Sequence, residues 1–140
     1  MILGVDYGTK KIGLALGDQE TNIAIPWRVI KHVSREKTIA YLKELVVEQH
    51  ITHMVIGIPL SSSGEDTAQT TITRKFIISV QKSIFLPIET ENEFYSTKEA
   101  REKLQEAGIK KYTVDAHSAA IILQSWLDKN SAKGISLILI

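Results

Sequence analysis

Cysteine is absent from this chain of 140 residues, which excludes disulfides and thiolate metal sites and fits a reducing cytoplasm. No apolar run approaches the roughly 20 residues of a membrane helix. No basic segment leads into an apolar stretch at the N-terminus, where strand pattern begins at Ile2, so a signal peptide is not expected. Excess charge is missing too. With a formal net charge of +1, no global basic field attracts nucleic acid, and any polyanionic partner must be held by local positive patches or through metal ions. Internal repeats and long linkers are lacking, so residues 1–140 read as one domain, long enough to bury a core.

What is present is an alternation of short apolar runs and helical stripes. Residues 1–6 (MILGVD) read as a strand, residues 7–10 as a turn and residues 12–16 as a strand returning antiparallel. A third strand over residues 23–30 carries Pro26, which points to a sheet edge. Ile39, Leu42, Leu45 and Val46 form one stripe of a helix over residues 35–49. A strand over residues 53–58 (HMVIGI) opens into the loop PLSSSGED, and a helix over residues 67–83 follows with Ile72, Phe76 and Val80 inward. Residues 86–90 read as a fifth strand. Ser96-Thr97-Lys98-Glu99 has the capping-box pattern of a helix stopped by Gly108. A last helix runs from about Asp115 to Asp128, with Ala119, Leu123 and Trp126 inward. The tail ISLILI, residues 135–140, is apolar and short, and is open to reading as an added strand, a packed arm or a subunit contact.

Hairpins first and crossovers later is the order of an α/β, ribonuclease H-like fold. Its mixed five-stranded sheet has the order 3-2-1-4-5, with helices on both faces. Ligands in such sheets sit at the carboxyl ends of the strands, where the chain direction switches. Asp6 and the Gly57-Ile58-Pro59 exit both fall there.

Asp6-Tyr7-Gly8-Thr9-Lys10 has two readings of equal weight. A carboxylate at a strand end can hold a hard divalent cation, while Gly8 gives a tight turn and the groups around Thr9 approach a phosphate. Asp6 can equally be a turn former. Glu89-Thr90-Glu91-Asn92-Glu93 is either a solvated strand exit or a source of a metal ligand or base. Asp115 caps its helix on the ordinary reading, but the small face of Ala116, Ala119 and Ala120 lets that helix approach the sheet and bring Asp115 toward Asp6. His117 is a surface or supporting residue, and His32, His50 and His53 have no ligand spacing. Positive charge is local, at Lys10-Lys11, Arg74-Lys75, Lys98-Arg101-Lys103 and Lys110-Lys111. Of these Arg74 is the best phosphate contact, since a guanidinium grips phosphate in bidentate fashion. The loop over residues 61–66 reads as a mobile flap or a flexible turn.

Taken together, GVDYGTKKIGLALGD, VIGIPLSSSG with Arg74-Lys75-Phe76, NEFYST and VDAHSAAIILQSWL resemble the YqgF (RuvX-like) family over nearly the whole chain. That family consists of bacterial ribonuclease H-like proteins described as Holliday junction resolvases and as nucleases maturing the 5′ end of pre-16S ribosomal RNA. The resemblance implies catalytic and metal-binding roles for Asp6, Glu93 and Asp115, with Mg²⁺ or Mn²⁺ as cofactor. Gly8, Thr9, Lys10, Lys11 and Arg74 fall to phosphate binding. It implies phosphodiester hydrolysis with two divalent ions, one activating water and one at the leaving oxygen. Asn92 and Phe94 depart from the family's Asp-Glu-Arg, and position 118 is serine where related junction resolvases carry an acid. The expected function is cytoplasmic 5′-end processing of pre-16S rRNA, with junction cleavage in DNA, which calls for a homodimer, as the alternative. A non-catalytic RNA-binding assembly factor is a further one, and a sugar-kinase-like ATPase is disfavoured because it needs a second lobe. With neighbouring strands ~4.8 Å apart, a fifth strand two positions from the first places Glu93 roughly 10 Å from Asp6. Glu93 is expected to reach it only if its strand end bends inward.

Overall fold

Side-chain alternation in the first strand sorts the molecule into two layers. In β1 (Ile2–Tyr7), Leu3, Val5 and Tyr7 face one side of the sheet and join the larger core, while Ile2 belongs to a second core on the other side. The computed structural model describes residues 1–93 and 114–139. Its sheet also contains β2 (Lys11–Asp18), β3 (Ile23–Lys31), β4 (His53–Pro59) and β5 (Ile88–Glu93), in the order β3-β2-β1-β4-β5. The pairs β1/β2 and β2/β3 are antiparallel, and β1/β4 and β4/β5 are parallel. This is the expected topology. Pro26 lies in the edge strand beside a register irregularity at Leu14/Ala15, where a residue without an amide hydrogen is tolerated.

The first face is covered by α1 (Arg35–Glu48) and α2 (Ala68–Ser83), which contribute Ile39, Leu42, Leu45, Phe76, Ile77 and Val80 to the larger core. Ile72, expected inward, is 42% exposed; the inner stripe instead runs Thr70, Thr73, Phe76, Ile77, Val80. The phase of α2 is set by its N-terminus. Thr67 and Thr70 form a capping box, and Thr70 Oγ1 also donates to the Pro59 carbonyl at the end of β4, so Thr70 must face the sheet. The fifth strand begins at Ile88 rather than at residue 86. Pro87 cannot donate to a ladder, and its carbonyl accepts from Met54 N instead.

Among the described residues the second face is covered by α3 (Val114–Leu139), whose Ala119, Ala120, Ile122, Leu123, Trp126 and Leu127 pack on Ile2, Ala15 and Val55. Fully buried Leu123 sits where β-carbons on Gly4 and Gly17 would intrude. The helix does not stop near Asp128 but continues through Leu139, taking in most of the apolar tail and excluding the added-strand reading. An apolar run of that length has no period of its own, and Gly134 inside a helix costs only about 1 kcal/mol against alanine. The helix expected after Ser96, with its lysines and arginine, and the lysines at 110 and 111, lie outside the described residues.

Candidate active site

Asp6 stands between two glycines. Across the β1/β2 ladder its partner is Gly13, and across β1/β4 it is one residue on from the Val5–Ile56 pair, beside Gly57. By alternation from Ile2, Ala15 and Val55, all three positions lie on the face covered by α3.

Each glycine admits a second acid. A β-carbon on Gly13 would lie 1.9 Å from the Asp115 carbonyl oxygen and 2.3 Å from its carbonyl carbon, so the first turn of α3 rests on bare backbone next to Asp6. Asp115 is in that first turn and is buried, where its charge also suits the positive end of the helix dipole. A β-carbon on Gly57 would lie 2.0 Å from Glu93 Oε1 and 3.0 Å from Glu93 Cδ. The Glu93 carboxylate therefore crosses β4 through the space Gly57 leaves. The end of β5 need not bend, because Glu93 stays in register with Pro59 and its carbonyl accepts from Leu60 N at 3.3 Å. One missing side chain thus lets the Glu93 carboxylate lie over β4, the strand next to β1. Glycine inside the buried strand HMVIGI is the signal that was available for it.

The acids of β5 divide by partner. Glu89 accepts from Trp126 Nε1, and buried Glu91 accepts from Ser125 Oγ at 3.0 Å and pairs with Lys129. Both tie β5 to α3. Glu93, at the strand's carboxyl end, instead places its carboxylate over Gly57, the β4 neighbour of Asp6. Asn92 is exposed on the alternate position.

The phosphate-binding candidates take different places. Gly8, Thr9 and Lys10 connect β1 to β2, and Thr9, Lys10 and Lys11 are exposed. Gly8 is required for space, since a β-carbon there would meet the Lys11 carbonyl at 2.3 Å. Arg74 is not an open cation: Nε and Nη2 donate to the two oxygens of Asp66, both at 3.1 Å, and this partner raises the guanidinium pKa further. That pair closes a loop already tied by Ser61 N to Glu65 O and by Glu65 N to Ser61 Oγ. The loop is thus an internally bonded turn. Beneath the site Tyr7 stacks on Phe76 with ring centroids 3.8 Å apart, and its hydroxyl meets His32 Nε2 at 3.2 Å. Burial raises the phenol pKa, opposed in part by Arg35. His117 is half-buried on α3 and Ser118 is buried.

Asp6, Glu93 and Asp115 offer only oxygen donors, the chemistry that suits a hard divalent cation. Among the described residues no three His, Cys, Asp or Glu side chains are gathered closely enough to hold one ion by themselves. A hard cation held by only one or two of these carboxylates would keep several waters, as Mg²⁺ does.

Comparison with known proteins gives the family and the fold. A family model described as "RuvX: Holliday junction resolvase" matches residues 1–129. A protein of Maridesulfovibrio salexigens is 36% identical over 130 residues, covering 90% of this chain and 96% of the relative. One of Rickettsia bellii is 39% identical over 131 residues, covering 91% and 85%. Both carry the provisional name pre-16S rRNA nuclease. Among solved structures, Thermus thermophilus RuvC in complex with a Holliday junction substrate superposes with a TM-score of 0.55 at 14% identity, covering 92% of this chain and 94% of that one. The fowlpox virus resolvase bound to junction DNA gives 0.52 at 10% identity, covering 91% and 97%. The structural likeness establishes a shared resolvase-type, ribonuclease H-like fold. The family match and the two relatives together establish more: this chain belongs to the RuvX family.

Proposed function

We propose that this protein is a divalent-metal-dependent endonuclease that hydrolyses phosphodiester bonds in structured nucleic acid, acting in the cytoplasm on the 5′ end of pre-16S rRNA. The observation that carries the reading is the place of Asp6 between Gly13, on which the Asp115 backbone rests, and Gly57, over which the Glu93 carboxylate lies. The substrate class follows from the names of its relatives.

Asp6, Glu93 and Asp115 are the residues that would hold Mg²⁺ or Mn²⁺, with Asp6 central. The chemistry a divalent cation would supply there is a lowered pKa for bound water and neutralised charge on the reacting phosphate. The chain's own residues do the rest. Gly8 lets the turn after β1 pass close to Lys11, so Thr9, Lys10 and Lys11 stand together where the scissile phosphate enters. Their hydroxyl and ammonium groups hold it as donors and point charges. Arg74 acts through Asp66, fixing the loop at the end of β4 and offering its outer edge to the substrate backbone.

The test is metal-dependent cleavage of a precursor rRNA fragment by wild type and by Asp6→Asn, which removes one charge at constant size. The variant is expected to keep its fold and lose cutting by 10²-fold or more; unchanged cutting sinks the reading. The family model's description favours a second substrate, four-way DNA junctions. Symmetric junction cleavage needs two sites, hence a homodimer. Running both substrates in one assay, with the oligomeric state measured, decides between them.

A further inference from the structure

The open end of the β2/β3 hairpin holds a cationic groove that continues outward from the turn after Asp6. It is open, has a volume of about 520 Å³, and is lined by Thr9, Lys10, Lys11, Val29, Lys31 and His32 among others, none of them acidic. Lys11 and Lys31 are direct partners in the antiparallel ladder. Like charges placed opposite each other on neighbouring strands oppose folding, so stability does not explain the pair. Among the described residues none of the three lysines has a carboxylate partner.

The position of the pair gives it meaning. Lys11 is two residues before Gly13, and Lys31 is two residues after Val29, the ladder partner of Gly13. With side chains alternating, Lys11, Gly13, Val29 and Lys31 share the face on which Asp6 and Asp115 lie. His32 walls the groove with a ring that is hydrogen-bonded on both sides. Its Nε2 meets Tyr7 Oη and its Nδ1 meets Thr38 Oγ1 at 3.1 Å, while its backbone N donates to the Lys10 carbonyl at 2.9 Å. The hairpin end is therefore fixed against β1 and α1.

We infer that this groove is a phosphate-tracking subsite that holds the sugar–phosphate backbone of the nucleic-acid strand leaving the acid cluster toward the β3 edge, with Lys31 and Lys11 gripping phosphates and Val29 flooring the sugar. Charge complementarity and continuity with the turn after Asp6 select that occupant. The inference deepens the proposed function and rests on its nucleic-acid substrate, but it is read by binding and not by cleavage.

The experiment measures affinity of the full chain for a labelled RNA stem-loop with a single-stranded extension, in EDTA, across a salt series. Lys31→Gln is expected to lower the slope of log affinity against log salt by about 0.7–0.9, and affinity itself about sixfold at 0.1 M salt, as loss of one phosphate contact requires. Lys11→Gln/Lys31→Gln is expected to double the slope change. Lys43→Gln, which removes the same charge from exposed α1 on the opposite face, is expected to leave the slope unchanged. Thermal melting of Lys31→Gln should be unchanged or higher, since a repulsion has been removed. Equal slopes for Lys31→Gln and Lys43→Gln overturn the groove. A groove that passes while no variant or wild type cuts any substrate leaves the subsite standing and overturns only the nuclease.

Discussion

Replacing Gly57 by alanine tests the central geometry directly. The new methyl group would lie 2.0 Å from Glu93 Oε1 and 2.5 Å from Ile122 Cδ1, where ordinary contact begins at 3.4 Å. Both neighbours are ends of flexible side chains, so the overlap is relieved by moving the Glu93 carboxylate more than 1 Å off β4 and turning the Ile122 methyl aside. Overpacking of this kind costs about 1–2 kcal/mol, or roughly 3–8 °C in Tm for a chain of this size. Cleavage should suffer far more, because misplacing a catalytic group by about 1 Å costs on the order of 10²-fold. The assay is single-turnover cleavage of precursor rRNA in Mg²⁺, with Tm measured in parallel, for Gly57→Ala, Glu93→Gln and the double variant. If Gly57→Ala acts by displacing Glu93, the double variant should be scarcely slower than Glu93→Gln alone. Full multiplication of the two defects, or a Gly57→Ala enzyme as fast as wild type, refutes the argument that Gly57 is the lane for Glu93.

Gly13→Ala should behave differently, since the β-carbon would meet backbone atoms of Asp115 and Ala116 that cannot swing away. We expect a loss of roughly 3 kcal/mol or more in chemical denaturation, with α3 lifted from the sheet. Tyr7→Phe should cost about 1 kcal/mol by leaving His32 without its phenol partner, the Phe76 stack being retained. In wild type, alkaline difference spectra should show Tyr7 ionising above the usual tyrosine pH. Because that pKa is raised on folding, its contribution to stability is complete below the unfolded value of about 10 and disappears as pH rises through the folded one. The Asp18 carboxyl, held low by the Thr21 amide and then its hydroxyl, should titrate in NMR below the ordinary aspartate range. Its contribution is present above the unfolded pKa and lost as pH falls through the folded value. Thr21→Val, which removes the hydroxyl donor but not the amide, should restore only part of the shift.

The sequence by itself determined the element order, the edge position of the strand with Pro26 and the sheet order. Each depends on local patterning or on connection rules that a single chain carries in full. It also singled out Asp6, Glu93 and Asp115, through strand ends and a resemblance. The tertiary structure decided where they stand on the sheet. Glu93 reaches across a strand because Gly57 is bare, and Asp115 settles beside Asp6 because Gly13 is bare. Neither relation exists until residues far apart in the chain are stacked in register. The same holds for charge. Arg74 read as an open phosphate ligand until the loop brought Asp66 to it, and Lys31 read as nothing until the ladder set it opposite Lys11. Identity and spacing are written along the chain, but empty space and electrostatic partners are properties of three dimensions, so only the folded molecule fixes them.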